Sequence, residues 1–191
     1  MSINMRIIFK SYQKLLSKYP VRIQAMQAGI LMGLGDQLSQ NLIERRKFKD
    51  LDFVRTSHFA SIGFFIAGPA TTTWYRILDK YIGSKGGVIV VKKVLCDQLL
   101  FAPTFLSILL VSIGLLQGSN INSLKHKLET SYFEILINNY KIWPMVQLVN
   151  FYFIPLQYQV LLVQSVALLW NTYISYITNT KNGRLRVVWI R

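Results

Sequence analysis

Charged residues are missing from four long stretches of this chain. Residues 56–75 hold no Asp, Glu, Lys or Arg over 20 positions, 98–124 none over 27, and 142–180 none over 39. Residues 23–43 add 21 positions interrupted only by Asp36. A helix rises about 1.5 Å per residue, so about 20 apolar residues cross a hydrocarbon layer about 30 Å thick. The pattern predicts an all-α, integral membrane bundle in a single domain, residues 1–191, with four main spans. These fall near 21–43, 53–75, 94–117 and 142–178, the last broken near Pro155. Pro69 and Pro103 lie inside spans and predict kinks, because proline removes a helical hydrogen bond and collides with the preceding turn.

The polar residues inside these runs are not scattered. At about 100° per residue, Ala25, Gly29, Gly33, Asp36 and Gln40 share an arc of about 80°. Ala25-x3-Gly29-x3-Gly33 has the spacing that lets two helices approach closely in lipid. In the third span Lys93, Asp97, Thr104, Ser107 and Gly114 share an arc of about 100°. Asp-Gln-Leu occurs in both spans, at residues 36–38 and 97–99, as an internal duplication or chance would produce. In the last region Asn150, Gln157, Gln164 and Asn171 recur every seven residues, with Gln147 nearby, although Pro155 interrupts the register.

These groups are the candidate functional residues. A carboxylate at the centre of a membrane helix costs about 2.5–3.5 kcal/mol by insertion scales and is normally paired, protonated or facing water. Asp36 and Asp97, with Gln40, Thr104, Ser107 and the amides, therefore either line a polar pathway or bond across helices. The bonding alternative for the carboxylates is an interhelical salt bridge, with Lys93 or Arg22 as partner. Trp74, Tyr75, Trp143 and Trp170 suit interfacial anchoring or helix packing. Gly114 joins the small residues expected at helix contacts.

Charge and composition narrow the function. Charged residues make up 16% of the chain, against about 25% in soluble domains. The net charge of +14 is carried in clusters at 6–22, 45–55, 76–93, 125–141 and 181–191, each beside a hydrophobic run. Such placement suits anionic lipid headgroups and excludes a continuous nucleic-acid stripe. Residues 1–18 form a basic amphipathic leader, with Arg6, Lys10, Lys14 and Lys18 interleaved with apolar residues. One cysteine, Cys96, and two separated histidines indicate neither disulfide nor metal site. No cofactor motif and no oriented nucleophile point to an enzyme. The expected partners are a bilayer with anionic lipids and a second copy of the chain, with no direct nucleic-acid contact.

Motifs spread over residues 12–178 resemble the Mpv-seventeen and peroxisomal-membrane-protein family. They include Tyr19-Pro20, Gly35-Asp36-Gln37-Leu38, Gly68-Pro69, Trp74-Tyr75 and Asp97-Gln98 with Ala102-Pro103. The most specific runs from Asn139 through Trp143-Pro144 to Phe151, with Pro155 and Trp170-Asn171 after it. The Gly33-Leu34-Gly35-Asp36 string and the Glu44-Arg45-Arg46 loop are most similar to the mitochondrial branch. The resemblance implies the mitochondrial inner membrane, with the peroxisomal membrane as the alternative, and four spans. It also implies a non-selective, channel-like role that tempers membrane potential and reactive oxygen species, with consequences for mitochondrial DNA and nucleotide supply. A non-conducting structural or regulatory role, through lipids or partner complexes, is the competing expectation.

Overall fold

Every described element is helical: residues 3–116 and 118–180 are described by the computed structural model, and no strand occurs among them. The leader helix α1 (Ile3–Lys18) exposes Lys10, Lys14 and Lys18 and buries Leu16 completely against the bundle. Pro20 opens α2 (Pro20–Leu38), a position where a missing N–H is harmless. That helix ends in a π turn at Ser39–Ile43. Asp52 caps α3 (Phe53–Ile62), accepting the Arg55 N–H at 2.8 Å. A π turn at Gly63–Ala67 carries α3 into α4 (Gly68–Ile82). Gly83 and Gly86, at φ of 115° and 120°, make the tight return to α5 (Gly87–Cys96). A further π turn, Asp97–Phe101, leads into α6 (Ala102–Leu116). Then come α7 (Ile121–Phe153) and α8 (Leu156–Thr180), parted at Ile154 and Pro155.

The expected kinks at Pro69 and Pro103 take one common form. Proline's ring collides with the carbonyl four residues back, here Phe65 and Leu99. Both carbonyls belong to π turns, whose i→i+5 bonding widens the helix where that collision would fall. The polar stretch after α6 is itself helical, because α7 begins at Ile121 and takes in its charged residues. The final apolar region is divided at Ile154 and Pro155 into two helices. One helical run, Gly87–Leu116, is by itself long and apolar enough to cross a membrane. Gln117, at the predicted end of the third span, and the basic cluster 181–191 lie outside the described residues.

The packing is inverted relative to a water-soluble domain. Ile30, Phe65, Leu99, Leu100, Met145 and Leu169 are each 60% or more exposed. The interior meanwhile holds Gln24, Asp36, Gln40, Lys93, Asp97, Gln147 and Asn150, each 4% exposed or less. Soluble proteins seldom bury such groups while exposing that many large apolar side chains.

Cross-helix contacts give the topology. Gln24 near the start of α2 meets Thr72 of α4 and the backbone of Gln157 in α8. Asp36, near the end of α2, meets Arg55 at the start of α3, so α2 runs antiparallel to α3–α4. Gly35 approaches Leu168, so α8 runs parallel to α2. On the far side, Leu124 of α7 lies against Gly114 of α6, and Tyr140 donates to the Gln98 carbonyl at 2.8 Å. The antiparallel α2–α4 contact is a seam of small residues. A Cβ on Gly63 would lie 2.5 Å from the Ala28 carbonyl oxygen, and one on Gly68 2.5 Å from the Ala25 Cα. The spacing of Ala25, Gly29 and Gly33 thus serves a contact within the chain.

Candidate functional site: two buried carboxylate clusters

Asp36 sits where α2 runs into its terminal π turn. One carboxylate oxygen is 2.7 Å from the Arg55 Nε, an ionic contact rather than an aligned hydrogen bond. The other accepts from Gln40 Nε2 and Thr56 Oγ1, each at 2.7 Å. Gln40 is fully buried and reaches across the hairpin, accepting the Asp52 N–H at 2.7 Å. Arg55 is shared, since its second nitrogen donates to Glu44 at 2.7 Å. The interhelical salt bridge therefore forms, but with Arg55. The expected partners are engaged elsewhere: Lys93 binds Asp79 at 2.8 Å, and Arg22 lies over the Tyr19 ring. The Asp36 charge is neutralised by Arg55 and its other oxygen is held by two hydrogen bonds, which is how a structural pair survives out of water.

Asp97 is different. It opens the second proline-linked π turn and is 2% exposed. Its oxygens accept from Trp74 Nε1 and Gln98 Nε2, each at 2.9 Å, and Gln147 of α7 also faces it. Among the described residues no cation pairs with it; Lys93, one turn earlier on α5, is taken by Asp79. Gln147 donates to the Tyr75 hydroxyl at 2.8 Å, and Asn150 donates to Gln147 at 3.0 Å. Two buried carbonyl oxygens, on Gln98 and Asn150, have no hydrogen-bond partner. A carboxylate held by neutral donors beside unsatisfied acceptors is rich in negative potential and short of positive charge. This cluster joins α4, the α5–α6 turn and α7, three elements distant in sequence.

Known proteins are similar to this chain over most of its length. The mitochondrial inner membrane protein Mpv17 of Danio rerio is 44% identical over 172 residues, covering 90% of this chain and 97% of that protein. The Homo sapiens protein of the same name is 42% identical over 169 residues, 88% of this chain and 96% of its own length. The protein sym-1 of Neurospora crassa is 39% identical over 168 residues, 87% of this chain and 96% of the relative. The model of the Mpv17 / PMP22 family matches residues 114–175. The chain belongs to the Mpv17 / PMP22 family. Its location is the mitochondrial inner membrane, as the names of these relatives state for them. No solved structure matches the chain.

The remaining candidates divide within this Mpv17 / PMP22 fold. Gln147 and Asn150 join the Asp97 cluster. Thr104 does not: it is exposed and its hydroxyl returns to the Leu100 carbonyl at 2.8 Å. The physical reason is the π turn at Asp97–Phe101, whose extra residue rotates the downstream side chains by about 100° from the uniform wheel. Ser107 is half-buried and bonds the Pro103 carbonyl at 3.0 Å, and Gly114 is buried under Leu124. The heptad of amides does not form one face. Gln157 is half-buried while its neighbour Gln159 is buried, donating to the Ile154 carbonyl at 3.0 Å across the proline break. Gln164 is buried; the side chains of Asn171 and Trp170 lie outside those described. Trp74 stacks on Phe101 at 5.2 Å, and Tyr75 meets Phe151 edge-on in the apolar cluster that Trp143 flanks. Pro144 sits inside α7 and Pro155 separates α7 from α8. Sequence periodicity missed Arg55, Thr56, Gln24 and Thr72. Their available signal was position, since each stands near a helix end that a hairpin returns to the same depth.

Proposed function

We propose that this chain is a channel-like protein of the mitochondrial inner membrane, passing small solutes without strong selectivity. In this role it tempers membrane potential and reactive oxygen species, and so supports nucleotide supply and mitochondrial DNA upkeep. Asp97 carries the proposal: a carboxylate buried between α4, α5 and α7 and held only by neutral donors. An intramembrane acid without a counter-ion marks a pathway more often than a scaffold. The spans are the runs 20–43, 53–82 and 87–116, with the α7–α8 hairpin in place of a single fourth crossing. Asp36, neutralised by Arg55, is a structural pair outside the pathway.

Reconstitution of the purified chain in planar bilayers tests this. Conductance is expected, with Asp97→Asn changing its magnitude or cation preference. A protein that inserts fully and passes neither ions nor small solutes would defeat the proposal. A second reading, a non-conducting regulatory protein, draws support from the glycine seam, which closes α2 against α4 backbone to backbone. Stable crosslinking to a partner complex, without conductance in its absence, would favour it.

A further inference from the structure

A second feature lies away from both carboxylate clusters. A half-enclosed cavity of about 430 Å³ opens where the end of α1 and the start of α2 meet α4 and the start of α8. Arg76 lines it, and its guanidinium makes no ion pair or hydrogen bond to a described residue. No carboxylate lines the cavity. The nearest acid in sequence, Asp79, is committed to Lys93 at 2.8 Å. The surrounding segments 6–22 and 76–93 carry ten basic residues and that one acid. An exposed arginine at the edge of a recess, inside a field of one sign and with no internal counter-ion, is placed to attract an anion.

Ser17, Gln24 and Thr72 also line the cavity, their donors already engaged within the chain, and Leu16 and Val160 lie buried beneath it. Two helices of 19 and 25 residues, α2 and α8, also begin at the cavity and add partial positive charge to it. Arginine's planar fork matches the tetrahedral oxygens of phosphate in a bidentate manner. We propose that this cavity binds a phosphate group through Arg76. The phosphate could belong to an anionic phospholipid headgroup or to a free phosphate compound; the chemistry of recognition is the same. The site is independent of whether the bundle conducts.

The test uses the full chain purified in a neutral detergent, titrated separately with dioctanoyl phosphatidic acid, inorganic phosphate and dioctanoylglycerol, with binding read by thermal shift. The expected result is saturable binding of at least one phosphate probe and none of dioctanoylglycerol. Arg76→Gln should weaken it at least about tenfold, the loss of a charge-assisted pair, with Arg76→Lys intermediate. Binding of phosphatidic acid alone assigns the site to lipid, and binding of inorganic phosphate as well assigns it to free phosphate compounds. Lys80→Gln, a basic residue of α4 outside the cavity, should leave affinity unchanged. Equal loss in Lys80→Gln, unchanged affinity in Arg76→Gln, or equal binding of dioctanoylglycerol would overturn the proposal. Arg76 is exposed and its replacement leaves the core intact, so a misfolded variant does not confound the outcome.

Discussion

Removing the Arg55 side chain should damage the fold far more than removing the charge of its partner. Arg55→Met leaves Asp36, whose side chain is fully buried, with a negative charge and only Gln40 and Thr56 to hold it. It also strips Glu44 of a partner at 2.7 Å. Breaking a buried pair by deleting one member typically costs about 3–5 kcal/mol. At roughly 2–4 °C per kcal/mol for a chain of this size, that is a fall in Tm of about 6–20 °C. Asp36→Asn is milder. The new amide oxygen still accepts from Gln40 or Thr56, and Arg55 keeps Glu44, so the cost is about 1–3 kcal/mol. The double variant Asp36→Asn/Arg55→Met removes both charges of the pair and should be more stable than Arg55→Met alone. Thermal unfolding in detergent, tracked by tryptophan fluorescence, measures all three. Equal losses in the two single variants, adding together in the double, would refute the claim that an uncompensated carboxylate dominates the cost.

Further expectations concern packing and helix geometry. Gly63→Ala places a methyl 2.5 Å from the Ala28 carbonyl and should destabilise the chain by about 1–3 kcal/mol; Gly87→Ala, which meets nothing within 4 Å, should be nearly neutral in the same assay. Pro103→Ala removes the collision that the π turn relieves, so Asp97–Phe101 should tighten to α-helix. The rates at which thiol reagents label cysteines placed at 104 and 107, in a Cys96→Ala background, should then change relative to each other, and constant rates would count against the proline explanation. Asp52→Ala deletes the cap on α3 and should cost about 1 kcal/mol in thermal unfolding.

The helices were legible because charge-free runs of 20 or more residues leave few alternatives. The small-residue face of Ala25, Gly29 and Gly33 was legible too, and it packs against Ala60, Gly63, Phe64 and Gly68. Periodicity within one helix tells which residues share a face, but not which residue of another helix lies at the same depth. Asp36 was therefore recognisable as needing a partner, while Arg55 was not recognisable as that partner. Thr104 was misplaced because a wheel assumes uniform rotation, and proline at 103 changes it. The Arg76 cavity was out of reach, being assembled from four helices whose contributing residues span positions 16 to 160.

The seam between α2 and α3–α4 is fastened at both extremities, by Thr72 donating to Gln24 and by Arg55 and Thr56 at Asp36. Backbones in direct contact can slide along each other but cannot rock, and these two latches prevent the sliding. With α8 lying alongside, that half of the molecule is tied at both ends and close-packed between them. Among the described residues, the side-chain bonds that join α5 and α7 and the turn between α5 and α6 to α4 are Lys93 to Asp79, Trp74 to Asp97 and Gln147 to Tyr75. One ion pair and two aromatic side chains thus stitch the second half of the bundle to a frame made of glycine.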